Sequence, residues 1–162
     1  MRPLHVYVET SVFGFLRDAT EVNRGKREAT ERMFEQIREG RLIAYASELV
    51  LSELSETPEP AARRALMDAA RELRILPAPP PEEIDFLVEC YMRQRAFPED
   101  KRDDAAHVAL AVLTPEIEAM VSWNCRHLAN EYNRRRLQAL TLAEGYSFRF
   151  NIVTPEEVLL YG

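Results

Sequence analysis

Short apolar runs alternate along the chain with longer amphipathic stretches, and this alternation is the feature that most limits its fold. Leu4–Val8 is apolar, β-branched and aromatic, and it stops at Glu9, as expected of a short buried strand. Leu42–Ala46 and Ala119–Ser122 read the same way, with Arg74–Leu76 and Phe148–Val153 as further short strands. Between them lie stretches of helical period. Residues 23–39 carry Ala29, Met33, Phe34 and Ile37 on one face, and Gly40 stops them. Residues 61–73 repeat Ala62, Leu66, Ala69, Ala70 and Leu73, and a proline cluster, 77–81, leads into a helix with Ile84, Leu87, Val88, Tyr91 and Met92. Helices are also predicted over 103–113, over a polar stretch reaching about Leu142, and after Thr154. Strands separated by whole helices cannot pair through tight hairpins, so the pattern predicts βαβ units and a mostly parallel sheet.

The 162 residues suit one compact domain spanning 1–162, with no internal repeat and no low-complexity segment. No apolar run approaches the roughly 20 residues that a bilayer span needs, so no membrane partner is expected. The apolar stretch at the N-terminus is too short for a signal peptide. Cys90 and Cys125 lack CxxC spacing, which speaks against a zinc ribbon or redox pair and makes a reducing, cytoplasmic setting the expectation. The net charge of −6 argues against nucleic-acid binding by bulk electrostatics. It leaves room for an enzyme whose acids hold cations, because a bound Mg²⁺ reverses the local field. The chain has no Walker A motif, no GxGxxG and no GxSxG, which removes the usual nucleotide-binding and α/β-hydrolase signatures.

Ligands of open α/β sheets bind beyond the carboxyl ends of the strands, and acids are placed there. Glu9 ends the first strand, Glu53 follows the second on a helix capped by Ser47, and Asn124 follows the strand at 119–122. Asp104 stands in the first turn of a helix and shares a face with His107, Val108 and Ala111. Each has a plainer reading: Glu9 as a solvated strand end, Glu53 as an arginine's ion-pair partner, Asp104 and Asn124 as helix caps. Thr10-Ser11 offers a further cap. Together, however, acids at one end of one sheet repel unless cations neutralise them. Hard oxygen ligands suit Mg²⁺ or Mn²⁺.

These segments resemble the PIN-domain family. Val6-Tyr7-Val8-Glu9-Thr10-Ser11 is similar to its opening strand, usually written with Asp-Thr-Ser. Ser47-Glu48-Leu49-Val50-Leu51-Ser52-Glu53 and Asp104-Ala105-Ala106-His107-Val108-Ala109-Leu110-Ala111 resemble the helices of the second and third acids, and Val121-Ser122-Trp123-Asn124 the strand that normally ends in Thr-x-Asp. The resemblance implies a three-layer α/β/α sandwich around a mostly parallel sheet of about five strands. It implies metal-dependent hydrolysis of RNA by a VapC-like toxin, working as a homodimer and restrained by an antitoxin protein. Glu9, Glu53 and Asp104 would be the catalytic metal ligands, joined by Asn124 through its carbonyl, with Ser11 and Ser122 supporting the site through hydrogen bonds. His107, a lone histidine without metal-ligand spacing, reads as a packing or supporting residue rather than a ligand. Two positions depart from the family pattern: Glu9 replaces aspartate, and Asn124 supplies no charge.

Other residues have structural readings beside functional ones. Trp123 fits a base-stacking platform or the core. Arg134-Arg135-Arg136, with Lys101, Arg102 or Arg126, fits RNA phosphate or a solvated face. His5 and His127 belong to no constellation. Two rival functions remain beside the nuclease. One is a PIN-like module that binds RNA or a protein without efficient catalysis. The other is a receiver-like signalling domain, disfavoured by a glutamate at the first strand's end and no evident switch lysine.

Overall fold

A computed structural model describes residues 2–161. Strands β1 (Leu4–Val8), β2 (Leu42–Ala46), β3 (Arg74–Ile75), β4 (Ala119–Val121) and β5 (Asn151–Val153) form one sheet in the order β3-β2-β1-β4-β5. Every pairing is parallel: Val6 faces Ala44 on one side and Ala119 on the other, and Val121 faces Val153. The helices are α1 (Ser11–Gly14), α2 (Arg24–Arg38), α3 (Glu48–Ser55), α4 (Pro60–Arg71), α5 (Pro81–Arg93), α6 (Arg102–Val112), α7 (Glu131–Ala143) and α8 (Pro155–Val158). The right-handed crossover rule assigns the β1–β2 and β2–β3 connections to one face of the sheet and the β3–β4 and β4–β5 connections to the other. The packing agrees: α2 lies against α8, and α5 lies against α6 and α7. The architecture is a three-layer α/β/α sandwich.

Local chemistry sets most element boundaries. Ser47 accepts the Val50 N–H and caps α3, while Glu59 accepts from Ala61 and Ala62 ahead of Pro60 at the start of α4. Thr154 and Glu157 form a capping box on α8. Arg24–Glu28 and Arg27–Glu31 brace the solvent face of α2 at i,i+4 spacing. Its other face buries Ala29, Thr30, Met33 and Phe34. The helix closes when Gly40, at φ 76°, donates to Ile37 and Arg41 donates to Gln36. The predicted strand at 148–153 shortens to 151–153, although Phe148 and Phe150 are still buried and their rings stack. Residues 125–130 form turns before α7, which Asn130 caps. No helix is long and apolar enough to cross a membrane among the described residues.

At the opposite end of the sheet from the strand-end acids, Glu118 precedes β4. Its carboxylate accepts the His5 N–H and pairs with Arg2. The Arg2 bond and the backbone N–H hold this carboxyl down to about 2. A depressed carboxylate contributes stability above its ordinary value of 4.5 and loses it as pH falls toward 2. Urea titrations between those pH values are therefore expected to show a smaller acid-induced loss in Glu118→Gln than in the unaltered chain. Parallel losses would show that the pair does not tie β1 to β4.

Candidate functional site

The chain runs outward from β1 to β2 to β3, then returns to place β4 on β1's other side. The switch point of the sheet therefore lies between β1 and β4, where α/β folds leave a crevice beyond the strand ends. Glu9 directly follows β1, and Ser122, Trp123 and Asn124 directly follow β4. The Glu9 N–H donates to the Val121 carbonyl at 3.1 Å, so the two strand ends are joined where the side chains begin to diverge.

Glu9 is only 3% exposed. A buried carboxylate must find donors, and three converge on it. The Ser122 hydroxyl donates to Oε1 at 2.8 Å, the Ser11 hydroxyl donates to the same oxygen, and the Ser11 N–H donates to Oε2 at 3.1 Å. The Ser11 hydroxyl oxygen also accepts the Trp123 N–H at 3.0 Å, and Ser122 Oγ accepts the Asn124 N–H at 2.9 Å. Both serines thus hold Glu9 by hydrogen bonds. Thr10 and Ser11 do not cap α1 as expected. Thr10 has helical backbone angles and no capping bond, and its hydroxyl donates to Glu53 at 3.0 Å.

Glu53 is half-buried at the end of a polar chain that starts inside β1. The Tyr7 hydroxyl meets Ser47 Oγ at 2.8 Å and His107 Nδ1 at 2.7 Å; His107 Nε2–H donates to Glu53 Oε1 at 2.5 Å. Burial alone would raise the Glu53 carboxyl, yet the bond and charge of His107, with the Thr10 hydroxyl, hold it below its ordinary value. Burial opposes the charge on His107, which is 1% exposed, but the Glu53 bond and the charges of Glu9, Glu53 and Asp104 raise it. This histidine, not the arginine of the plainer reading, answers Glu53. Tyr7 carries no signal of its own in the sequence, because a tyrosine inside an apolar strand reads as core. Its phenol is pushed far up by burial and stays neutral.

Asp104 sits in the first turn of α6. Its carboxyl is raised by burial and then by the charge of Glu9, partly offset by His107, His127 and Lys101. Asn124 joins the group differently from expectation. Its Oδ1 accepts the His127 N–H at 3.0 Å, so the amide turns Nδ2–H toward Asp104 Oδ2 at 3.1 Å. The carbonyl expected to coordinate a metal caps the local turn instead, and the amino group donates to the acid. Trp123 belongs to the core: it is buried, and its indole N–H donates to Thr30 at 2.8 Å.

Glu53 bonds His107, and the charges of Glu9, Glu53 and Asp104 all favour its protonated form; among the described residues none of the three forms an ion pair with arginine or lysine. The donor set is hard oxygen carrying excess negative charge, which fits a divalent cation. Among the described residues, no three His, Cys, Asp or Glu side chains are grouped closely enough to hold one ion by themselves. That is compatible with Mg²⁺, which keeps several waters and needs only one or two carboxylates before substrate phosphate completes its shell. The arginine triplet lies elsewhere: Arg134 and Arg135 pair with Glu131, and Arg136 donates to the carbonyls of Gln94 and Arg95. No protein-family model matches the chain, and no curated protein does, so its function is read from this geometry.

The Tyr7–His107–Glu53 chain has a measurable consequence. His107→Ala removes the link between the Tyr7 hydroxyl and Glu53, leaving them only Ser47 and Thr10 respectively, and a loss of about 2–4 kcal/mol in urea unfolding is expected. Tyr7→Phe keeps the ring and removes the hydroxyl, costing about 1–2 kcal/mol. Changes below about 0.5 kcal/mol in both would show that the chain is not formed in solution.

Proposed function

We propose that the protein is a metal-dependent endoribonuclease of the PIN type, hydrolysing RNA phosphodiester bonds at the acids between β1 and β4. One observation carries this reading: Glu9 follows β1, Glu53 accepts from Thr10 beside it, and Asp104 accepts from Asn124 after β4, so three acids are bonded to the segments at the switch point, with no arginine or lysine ion pair among the described residues. His107 answers Glu53, but among the described residues Glu9 and Asp104 receive only neutral hydrogen-bond donors, which leaves negative charge for a cation to offset. A Mg²⁺ or Mn²⁺ ion bound there supplies a water activated for attack and neutralises charge on the leaving oxygen.

The chain's own residues prepare that chemistry. Ser11 and Ser122 hold Glu9 in one orientation. His107 and Thr10 keep Glu53 ionised and aimed. Asn124 restrains Asp104 by a single donated bond, and the negative charge of Glu9 acts on Asp104, favouring an arrangement that admits a cation. The order of the segments that resemble PIN domains further suggests a toxin held in check by an antitoxin protein, and a homodimer.

A second reading has one observation in its favour. The carboxylates are not gathered into a group of three, which suits a PIN-like module that binds RNA or protein without efficient catalysis. Cleavage assays separate the two. Under the nuclease reading, RNA is cut with Mg²⁺ or Mn²⁺ and not with EDTA, and Asp104→Asn lowers the rate at least about 100-fold while the fold is retained. Asp104→Asn should not lower stability without metal, since it relieves repulsion with Glu9. Efficient cleavage by the EDTA-treated protein contradicts metal dependence.

Position 124 gives a sharper test. Asn124→Asp replaces the donor on Asp104 with a second carboxylate about one hydrogen-bond length away. The metal-free variant is expected to lose about 1–3 kcal/mol of stability. Calorimetric titration with Mn²⁺ should show tighter binding than in the unaltered chain, with the lost stability restored as the ion binds. Unchanged affinity would mean that residue 124 does not face the acids.

A further inference from the structure

The chain carries a net charge of −6, yet a cavity bordered by cations reaches the acidic site through His127, whose N–H bonds Asn124. It occupies about 510 Å³ between the end of α5 and α7; Arg93, Arg95, His127, Asn133 and Arg136 line it, with Glu99 as the one carboxylate in its wall. Arg102 nearby is paired with Glu89, but Arg93 and Arg95 form no ion pair among the described residues. Both are exposed.

The wall is fixed rather than loose. α5 closes as α2 does, with Arg95 donating to Met92 at 3.0 Å and Ala96 to Tyr91 at 2.9 Å. The same pattern ends α7 at Gly145, where φ is 84°, and α2 at Gly40. At α5 the left-handed position is held by Arg95, at φ 55°, a conformation that strains any residue with a Cβ. Glycine would close this helix without that strain. Arg136 donates to the carbonyls of Gln94 and Arg95 and locks the turn to α7. Asn133 donates to the carbonyls of Arg126 and His127, while Asn124 accepts the His127 N–H. The cavity is thereby tied to the Asn124–Asp104 pair.

We propose that this cavity is a strand-binding subsite that holds a backbone phosphate of a polynucleotide whose cleaved bond lies at Asp104. The inference rests on the nuclease reading of the acidic site. Carboxylates repel a phosphodiester strand, so an acidic protein needs separate cations to seat one. Guanidinium groups meet phosphate oxygens through paired N–H donors, and Arg93 and Arg95 are available to do so.

Fluorescence anisotropy with a single-stranded oligoribonucleotide in EDTA tests this without requiring cleavage. The double variant Arg93→Ala/Arg95→Gly is suitable because glycine fits the left-handed position; melting curves check that it folds. The variant is expected to bind at least about tenfold more weakly in low salt. Its plot of log affinity against log salt should be flatter by about 0.7 for each phosphate that the arginines no longer neutralise. A mononucleotide should bind at least about 100-fold more weakly than the oligonucleotide, since it offers no continuous strand. An unchanged slope in the folded variant, equal binding of the mononucleotide, or no binding by the unaltered chain overturns the proposal. Parallel assays with Mn²⁺ separate the two ideas: cleavage with an unchanged slope rejects the subsite alone, whereas cavity-dependent binding without cleavage rejects the nuclease reading and overturns the link to a cleaved bond at Asp104, leaving only a phosphate-binding cavity.

Discussion

Burying the carboxylate of Glu9 between two strand ends is the constraint around which the site is organised. A charge placed there needs hydrogen bonds at once, and the sheet order brings Ser122 of the neighbouring segment to the same oxygen that Ser11 serves. Those hydroxyls also accept the Trp123 and Asn124 N–H groups. Carboxylate, serines and the turn after β4 consequently form one unit. Asn124 then presents its amide to Asp104, and the third acid is set by the first.

A second polar chain supports this one from within the sheet. Tyr7 precedes Glu9 by two residues, so on a strand of period two its side chain leaves the same face. It reaches Ser47 and His107, and through His107 it reaches Glu53. Ser47 both caps α3 and joins this chain, so the helix that carries Glu53 is anchored by the residue that starts it. Three acids from separate parts of the sequence are thus positioned by bonds within a buried polar interior, which suits a site that must keep its shape when charges arrive.

Much of this was legible in the residues. β1, β2 and the core of β4 follow from apolar runs bounded by polar residues, and the caps at Ser47 and Thr154 and the stop at Gly40 from side chains with few alternative uses. Ser11 and Ser122 were named by the family resemblance as hydrogen-bonding residues, but that both would bond Glu9 was not readable from it. The unreadable parts depend on distances between residues far apart in sequence. Nothing local shows that His107, not an arginine, would answer Glu53, or that Thr10 would leave its cap for the same acid. Asn124 illustrates the limit well: its position was anticipated, but the direction of its amide depends on the His127 N–H, which competes for the carbonyl. The short β5 likewise reflects tertiary context, because Phe148 and Phe150 bury their rings without strand pairing.

The central claim is that the acids between β1 and β4 form a divalent-cation site. Paramagnetic Mn²⁺ added at substoichiometric levels to isotope-labelled protein tests it most directly, because broadening falls steeply with distance from the ion. The account predicts selective loss of amide signals around Glu9, Ser11, Glu53, Asp104 and Asn124, reversed by EDTA and weakened in Glu9→Gln. Broadening centred on another acidic surface, or none at concentrations where Mn²⁺ is in excess, would contradict it.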